Sequence, residues 1–303
     1  MHRTLRNRAV LPLTLVTLFV AACATITPDL PSITEGATNH RHVGKVIWRD
    51  LLTSTPAESR KFYGELFGWT FEKPGIELGF GDTDSYMLIR HEGELIGGML
   101  DINVLGKDAN VSQWMSVFST DDVEAAVAGL TQDGGKVLTP PKELQTRGTI
   151  AVIEDPTGAV FAVLQARDGD PDDAEPVING FLWNELWTND VPAAGSFYTS
   201  LFNFDIAAHD IDDSQRTYHV FESNGTPRAG LMANPFEEMQ PVWVSYLRVQ
   251  NPVDITTKVA GLGGEVLVEP QPRDIGGVVA LVAGPSGAGI ALQTWPIRQG
   301  DAE

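Results

Sequence analysis

The chain has 303 residues, which fits about two domains at roughly 100–200 residues each. Its formal net charge of -19 and the lack of any Lys/Arg-rich stretch exclude the basic footprint on which nucleic-acid binding depends. A single cysteine, Cys23, excludes an intramolecular disulfide and a cysteine-rich zinc cluster. The sequence therefore predicts no nucleic-acid partner and leaves room for two independent hydrophobic cores.

Residues 1–22 have the features of a signal peptide: arginines, then an apolar stretch too short to span a membrane, then small residues. The last three of these residues together with the next one, Val20–Cys23 (VAAC), resemble the lipobox of bacterial lipoproteins, in which cleavage leaves the cysteine as a lipidated first residue. The resemblance implies lipidation at Cys23 and stable anchoring to the bacterial cell envelope. Ala24 is similar to the pattern of outer-membrane lipoproteins that face the periplasm. The alternative is an ordinary cleaved signal beside a chance cysteine.

Two further segments read as connections rather than as packed structure. Residues 23–43 contain proline, glycine and several Ser/Thr without apolar periodicity, which predicts a flexible tether. His40 and His42 lie within it and could hold a metal weakly, although an exposed, solvated pair is the favoured interpretation. Residues 167–178 are acidic and contain proline and glycine, which predicts a solvated linker.

An internal repeat organises the rest of the chain. Val46–Leu51 (VIWRDL) is echoed 135 positions later by Phe181–Leu186 (FLWNEL), and Phe62–Trp69 (FYGELFGW) returns at the same offset as FYTSLFNF. Later matches recur at an offset of 129, among them Asp155–Gly158 (DPTG) with Gly284–Gly287 (GPSG). The repeat predicts two modules of one fold, at residues 44–166 and 179–296.

The apolar pattern of each module changes between strand and helix. In chain order the predicted elements of the first module are a strand Lys45–Leu52, a helix starting near Pro56, a strand Gln113–Ser119, a helix from Asp121 to Gly134, and strands Ile150–Glu154 and Ala159–Gln165. The second module begins in the same way, with a strand Gly180–Trp187 and a helix near Pro192. Thr55 and Asp190 are the candidate helix caps.

The repeated unit resembles the vicinal oxygen chelate superfamily, which contains glyoxalase I, bleomycin-resistance proteins and extradiol dioxygenases. The resemblance rests on the helix motif FYxxLFGW and on the Asp-Pro-x-Gly turn before the last strand, and it covers both modules. It implies an α+β fold of two tandem glyoxalase-like modules. Each module is then built of paired βαβββ units that form a U-shaped sheet around a cleft.

Metal enzymes of this family place His, Gln or Glu ligands on the first strand of each half-module and a Glu on each last strand. When these positions are carried over, they fall on apolar residues in both modules: Trp48, Met115 and Ala162, and Trp183, Val244 and Ala291. Divalent metals in such sites need oxygen or nitrogen donors. We therefore expect no metal and no cofactor in the clefts, and no metal-dependent glyoxalase or dioxygenase activity.

Side chains two positions apart on a strand share a face, so Asp50 lies beside Trp48 and Glu185 beside Trp183. These four residues are the predicted ligand-binding residues: the indole offers apolar area and the carboxylate takes a donor or a cation from the ligand. In the alternative interpretation, each acid pairs with an arginine or a backbone amide and the tryptophans fill the core.

Two other residue pairs, matched between the modules by the repeat, also carry predictions. Trp114 and Trp243 are predicted to be core residues. Arg147 in the first module is matched by Gly276 in the second, which predicts that the two clefts do not bind identically.

The leading functional hypothesis is an envelope-anchored, metal-free small-molecule binding protein. One alternative is an enzyme, an isomerase, lyase or hydroxylase-like protein with Asp50 or Glu185 as the catalytic general base, which would require a raised carboxylate pKa. Another is a scaffold whose tryptophan-rich faces engage a second envelope protein. The membrane enters as a partner through the lipid anchor, and the identity of the ligand and any self-association stay open.

Overall fold

A computed structural model describes residues 30–74, 85–105, 112–130, 133–211, 216–236, 239–273 and 276–295. The predicted signal peptide (1–22) and Cys23 lie outside these ranges, so lipidation stays a prediction. Within the described ranges no helix combines the length and the apolar character that crossing a membrane requires.

Within the described residues, sixteen strands form two sheets of eight, one from each half of the chain. The first sheet contains β1 (Val46–Thr53), β2 (Thr70–Glu72), β3 (Tyr86–His91), β4 (Glu94–Asp101), β5 (Gln113–Ser119), β6 (Lys136–Glu143), β7 (Gly148–Glu154) and β8 (Val160–Ala166). The second contains β9 (Phe181–Thr188), β10 (Asp205–Ile211), β11 (Arg216–Ser223), β12 (Thr226–Ala233), β13 (Val242–Arg248), β14 (Glu265–Pro272), β15 (Val278–Ala283) and β16 (Gly289–Gln293).

The strand order shows the internal repeat at two levels. The first sheet runs β2-β3-β4-β1-β5-β8-β7-β6, and the second runs β10-β11-β12-β9-β13-β16-β15-β14. In each sheet two four-stranded halves meet at a central antiparallel pair, β1 with β5 or β9 with β13. Each half also contains a parallel pair, such as β1 with β4 and β5 with β8. The predicted α+β fold of tandem modules built of paired βαβββ units is confirmed.

In the described part of the chain, one α-helix follows the first strand of each of the four half-modules. These helices are α1 (Pro56–Phe67), α2 (Val123–Leu130), α3 (Val191–Phe202) and α4 (Pro252–Val259). Proline occupies the first turn of α1, α3 and α4, where its missing N–H costs nothing. Asp190 caps α3 as predicted, because its side chain accepts a hydrogen bond from the backbone N–H of Ala193 at 3.0 Å. Thr55 precedes α1 without a side-chain capping bond.

Two of the buried hydrophobic clusters join the modules, although the length of the chain leaves room for two independent cores. One buried cluster joins Phe118 and Phe161 of the first module to Phe197 and Tyr198 of the second. A second cluster joins the first half of module one, including Phe62, to the second half of module two. The modules share these clusters because the helices lie between them: α1 contacts α4, and α2 contacts α3. Trp114 and Trp243 are buried in these cores, as predicted.

The segment before β1 is packed rather than free over its described part, residues 30–43. Leu30 and Ile33 are 7% and 3% exposed and belong to the apolar cluster on the concave face of the first sheet. The flexible-tether prediction is therefore wrong for this part. A segment without periodicity can still be held by two well-placed apolar side chains, because the cleft supplies the rest of the buried surface.

The inter-module linker is also ordered by specific contacts. Asp170 is fully buried, and its carboxylate accepts hydrogen bonds from the hydroxyl of Ser119 and the backbone N–H of His42 at 2.5 and 2.6 Å. Asp173 lies in ion pairs with Lys45 of the first module and Arg228 of the second. The prediction of a solvated linker fails at Asp170, which is buried, whereas the side chain of Asp173 stays 51% exposed.

Candidate functional site

Each sheet curls around a cleft, and the first strand of each module places alternate side chains on the cleft floor. Asp50 pairs in register with Gly98 on β4 and Met115 on β5. Glu185 has the equivalent neighbours in the second sheet, on β12 and β13. The period of two along each strand thus brings the acid and its tryptophan neighbour to the same face, as expected.

In module one the floor is a closed hydrogen-bond network around Asp50. The Oδ1 atom of Asp50 accepts hydrogen bonds from the indole N–H of Trp48 at 3.0 Å and the hydroxyl of Tyr86 at 2.8 Å. The guanidinium of Arg147 donates to the same Tyr86 hydroxyl at 2.8 Å and lies 4.6 Å from the centre of the Trp48 ring. Burial raises the pKa of Asp50, while the charge of Arg147 and the two hydrogen bonds act against that rise.

The chain's own N-terminal segment fills the cleft above this network. Arg147 donates from Nε to the carbonyl oxygen of Pro31 at 3.0 Å, and the backbone N–H of Leu30 approaches the carbonyl oxygen of Leu144 at 3.4 Å. Leu30 and Ile33 complete the contact with their apolar side chains. Trp48 is only 2% exposed, so the structure places it in packed protein rather than on an open binding wall.

Module two repeats the floor with different partners. Glu185 is fully buried, and its Oε1 atom accepts hydrogen bonds from the indole N–H of Trp187 at 2.6 Å and the hydroxyl of Tyr246 at 2.7 Å. Arg273 donates to Oε2 of Glu185 at 2.6 Å and to the side-chain oxygen of Gln293 at 2.8 Å. The half-buried Trp183 bonds to the Tyr218 hydroxyl at 2.9 Å. The acid is therefore neutralised and saturated with donors.

Glu185 thus follows the alternative interpretation, in which a carboxylate on the sheet pairs with an arginine, whereas Asp50 is connected to Arg147 through the Tyr86 hydroxyl. The arginines come from different positions in the repeat, since Arg147 aligns with Gly276 and Arg273 aligns with Leu144. The difference at Arg147 therefore does not deprive the second cleft of an arginine. A buried carboxylate that already has these partners is a poor receptor for a ligand's cation.

Sequence reasoning missed the tyrosines that complete the floors. Tyr86 and Tyr218 recur at an offset of 132, so the repeat itself held the signal. Each hydroxyl passes close to a glycine of the neighbouring strand: a Cβ atom at Gly98 would lie 2.0 Å from the Tyr86 hydroxyl, and one at Gly230 would lie 2.1 Å from that of Tyr218. Glycine is required at both positions because only it leaves room for the tyrosine.

The cleft of module two is open, in contrast to that of module one. It encloses a cavity of about 620 Å³, a volume typical of sites for small molecules. Its wall is largely apolar, and a few polar groups converge on it. Six lining residues show this mixture: Trp187, Met232, Phe236, Val279, His219 and Arg273. Glu185 also lines the cavity, whereas Trp183 packs beside the apolar cluster of this face.

The positions that correspond to family metal ligands carry apolar side chains in both clefts. Trp48, Met115 and Ala162 belong to one apolar cluster on the concave face, and Val244 and Ala291 belong to its counterpart. These side chains offer no oxygen or nitrogen lone pair suited to a divalent metal. Among the described residues, neither cleft brings three His, Cys, Asp or Glu ligand atoms within 4.8 Å of one another. A family-type metal centre does not fit these clefts.

Solved structures share this fold at low sequence identity. A Mn(II)-bound glyoxalase from Novosphingobium aromaticivorans matches with a TM-score of 0.55 and 15% identity, over 83% of this chain and 82% of the other. The 2,2',3-trihydroxybiphenyl 1,2-dioxygenase of Sphingomonas wittichii strain RW1 also has a TM-score of 0.55 and 15% identity, over 86% and 93%. At this identity the likeness concerns the fold alone.

Sequence comparison gives the family. Over 241 residues the chain is 27% identical to "Putative glyoxylase CFP32" of Mycobacterium bovis, which covers 80% of this chain and 91% of the relative. It is also 27% identical over 266 residues to "Anthracycline biosynthesis protein DauV" of a Streptomyces species, with 82% and 92% covered. The family model of the Glyoxalase/Bleomycin resistance protein/Dioxygenase superfamily matches residues 42–163 and 180–292. The chain belongs to this superfamily.

Proposed function

We propose that this protein is an envelope-anchored small-molecule binding protein whose working site is the cleft of module two. The observation that carries the proposal is the open cavity of about 620 Å³ above the Glu185 network. The lipobox-like sequence at Cys23 supports the anchoring, and the apolar metal-ligand positions favour binding over metal-dependent catalysis.

The occupant of module one indicates what such a cleft accepts. There the chain itself supplies two aliphatic side chains, Leu30 and Ile33, and one carbonyl oxygen that accepts from Arg147. Module two offers the same kinds of group, an apolar wall and the arginine Arg273. We therefore expect a ligand with an apolar body and a carbonyl-type acceptor. This replaces the earlier expectation of a cationic ligand, because Arg273 already neutralises Glu185.

An enzyme that uses Asp50 or Glu185 as a general base finds less support. A general base needs a carboxylate oxygen within hydrogen-bonding reach of the substrate proton. Asp50 lies beneath the chain's own segment, and Glu185 accepts from Trp187, Tyr246 and Arg273. Binding without chemistry therefore stays the leading function, and the scaffold hypothesis makes no use of the cavity.

A ligand screen tests the proposal. The panel contains neutral aromatic ketones and amides, an anthracycline, the same frameworks without a carbonyl, and matched amines, and binding is followed by calorimetry or tryptophan fluorescence. Carbonyl-bearing apolar compounds should bind with micromolar affinity, on the order of -8 kcal/mol, since the cost of ordering offsets part of the apolar gain. The amines should bind more weakly than their neutral counterparts.

Two alanine-to-tryptophan variants assign the site. Ala233 is exposed and lines the cavity of module two, so Ala233→Trp should fill it and weaken binding about tenfold or more. Ala128 is an equally exposed alanine on α2, and Ala128→Trp should leave the affinity unchanged. If no compound binds, or if Ala233→Trp binds as the unmodified protein does, the proposed site is wrong.

Anchoring is tested separately: Cys23→Ser should remove the protein from the membrane fraction.

A further inference from the structure

A group of metal-ligand side chains lies outside the two cleft floors, where the N-terminal segment crosses the inter-module linker. The backbone N–H groups of Thr38 and Asn39 donate to the carbonyl oxygen of Asp168 at 2.8 and 3.1 Å, and that of Asp170 donates to the carbonyl oxygen of His40 at 2.9 Å. These bonds hold the two segments side by side. Side chains on both are therefore presented in fixed relative positions.

His40, His42 and Asp172 meet at this crossing. The Nε2 atom of His40 lies 2.7 Å from an oxygen of Asp172, and the two imidazole rings are 5.0 Å apart between centres. One nitrogen or oxygen atom from each of the three residues lies within 4.8 Å of the others. Two imidazoles and a carboxylate form a donor set suited to zinc and its neighbours in the first transition series.

The hydrogen bonds of both imidazoles fit metal ligation. The Nδ1 atom of His40 is 3.0 Å from the carbonyl oxygen of Thr38, which can only accept, so Nδ1 donates there and Nε2, which faces Asp172 at 2.7 Å, is the nitrogen that a metal would bind in place of a proton. A backbone carbonyl bonded to the other ring nitrogen is the usual outer partner of a metal-bound histidine. The Nε2 atom of His42 is buried and has no hydrogen-bond partner among the described residues. A bound cation would satisfy it.

We propose that His40, His42 and Asp172 bind one divalent transition-metal ion, such as Zn²⁺, which fastens the N-terminal segment to the inter-module linker. Water completes the coordination, since the side chains of His40 and Asp172 are 45% and 74% exposed. The site is independent of the clefts. The role of the ion is structural: it holds residues 38–42 in place, a few residues after Leu30 and Ile33, which fill the cleft of module one.

Cobalt substitution tests the site without any knowledge of the ligand or activity. The full chain, purified without a histidine tag and stripped with chelator, is titrated with Co²⁺ while visible absorption is recorded. One equivalent should produce saturating d–d bands, and Zn²⁺ should abolish them by displacement. Zn²⁺ alone should raise the melting temperature, because a ligand that binds only the folded state stabilises it.

Matched variants show whether Co²⁺ binds at His40, His42 and Asp172 or elsewhere on the protein. His40→Ala and Asp172→Asn change exposed side chains, so both should fold, and each should weaken Co²⁺ binding on the order of tenfold to a hundredfold. Asp168→Asn removes the same charge from the same linker but keeps the backbone bonds, and should bind as the unmodified chain does. Absence of the bands, or bands that persist unchanged in His40→Ala, would overturn the proposal.

Discussion

At the scale of single residues, the two cleft floors show one solution reached with different neighbours. Asp50 and Glu185 occupy equivalent positions, and each accepts from an indole and a tyrosine hydroxyl beside a buried arginine. The two arginines, Arg147 and Arg273, come from positions that lie three residues apart in the repeat alignment. In both modules a buried carboxylate needs a compensating charge or donor. An arginine from the turn after β6 or after β14 supplies it, although its position in that turn differs.

Much of this site follows from the sequence. The period of two places Trp48 and Asp50 on one face, and the repeat extends that to module two. The partners could not be predicted in the same way, because Arg273 approaches Glu185 from the connection after β14, 88 positions away along the chain. Contacts of that kind depend on how the hairpin before β15 folds over the cleft, and local periodicity carries no information about it.

The ion pair in module two gives a stability prediction. Glu185 is fully buried and Arg273 has a side-chain exposure of only 15%, so removing one charge leaves the other buried without compensation. Glu185→Gln should lower the free energy of unfolding by about 3–5 kcal/mol, as the loss of one partner of a buried pair does. Urea denaturation monitored by circular dichroism measures the change.

The double variant serves as the control for that measurement. Glu185→Gln combined with Arg273→Gln removes both charges, so it should recover a substantial part of the lost stability. A cost below about 1 kcal/mol for Glu185→Gln, a value typical of solvent-exposed pairs, would contradict the buried ion pair.

At the scale of elements, periodic segments were predicted well and connecting segments were not. β5 runs over Gln113–Ser119 as predicted, and β1 is displaced by a single residue at each end, at Val46–Thr53. The segment 30–43 was wrongly predicted to be flexible, and Asp170 is buried in a linker that was predicted to be solvated. Their order comes from a few buried groups, such as Ile33 and Asp170, whose partners lie in other elements.

Asp173 in the linker provides a pH-dependent prediction. Burial acts to raise the pKa of Asp173, but hydrogen bonds and charges from Arg228 and Lys45 outweigh it and lower the pKa from 3.8 to about 2. A pKa that is lower in the folded state stabilises the fold above pH 3.8, and this contribution is lost as the pH falls through about 2. Because the side chain is 51% exposed, it should be worth less than about 1 kcal/mol.

The measurement compares Asp173→Asn with the unmodified chain by thermal melting at a series of pH values. The variant should melt at a slightly lower temperature at neutral pH. The difference in melting temperature should narrow below about pH 4, where Asp173 begins to take up a proton in the unfolded chain. Glu175→Gln is the control, since Glu175 lies in the same linker but 3.7 Å from Arg248 and with a side-chain exposure of 76%. A gap that widens toward acid would show that Asp173 is not the stabilising group.

At the scale of the whole molecule, two buried clusters are shared between the modules, while the concave face of each sheet keeps a cluster of its own. Phe62 of α1 packs against Gly264 of module two, where a Cβ atom would lie 2.4 Å from its ring. Tyr198 of α3 donates a hydrogen bond to Asp155 in the turn before β8 at 3.0 Å. The repeat indicated that two similar units exist, but a buried helix face does not reveal which unit covers it.

This arrangement predicts that neither module folds as a monomer without the other. Separation at Ala174 would expose buried aromatic side chains such as Phe118 and Phe197, and each large apolar side chain contributes about 1.5–3 kcal/mol when fully buried. The intact chain should unfold in urea in one cooperative transition. Each half expressed alone should aggregate or pair with a second copy of itself, while co-expression of both halves should yield a one-to-one complex on size-exclusion chromatography. A folded, monomeric half with its own cooperative transition would contradict the shared cores.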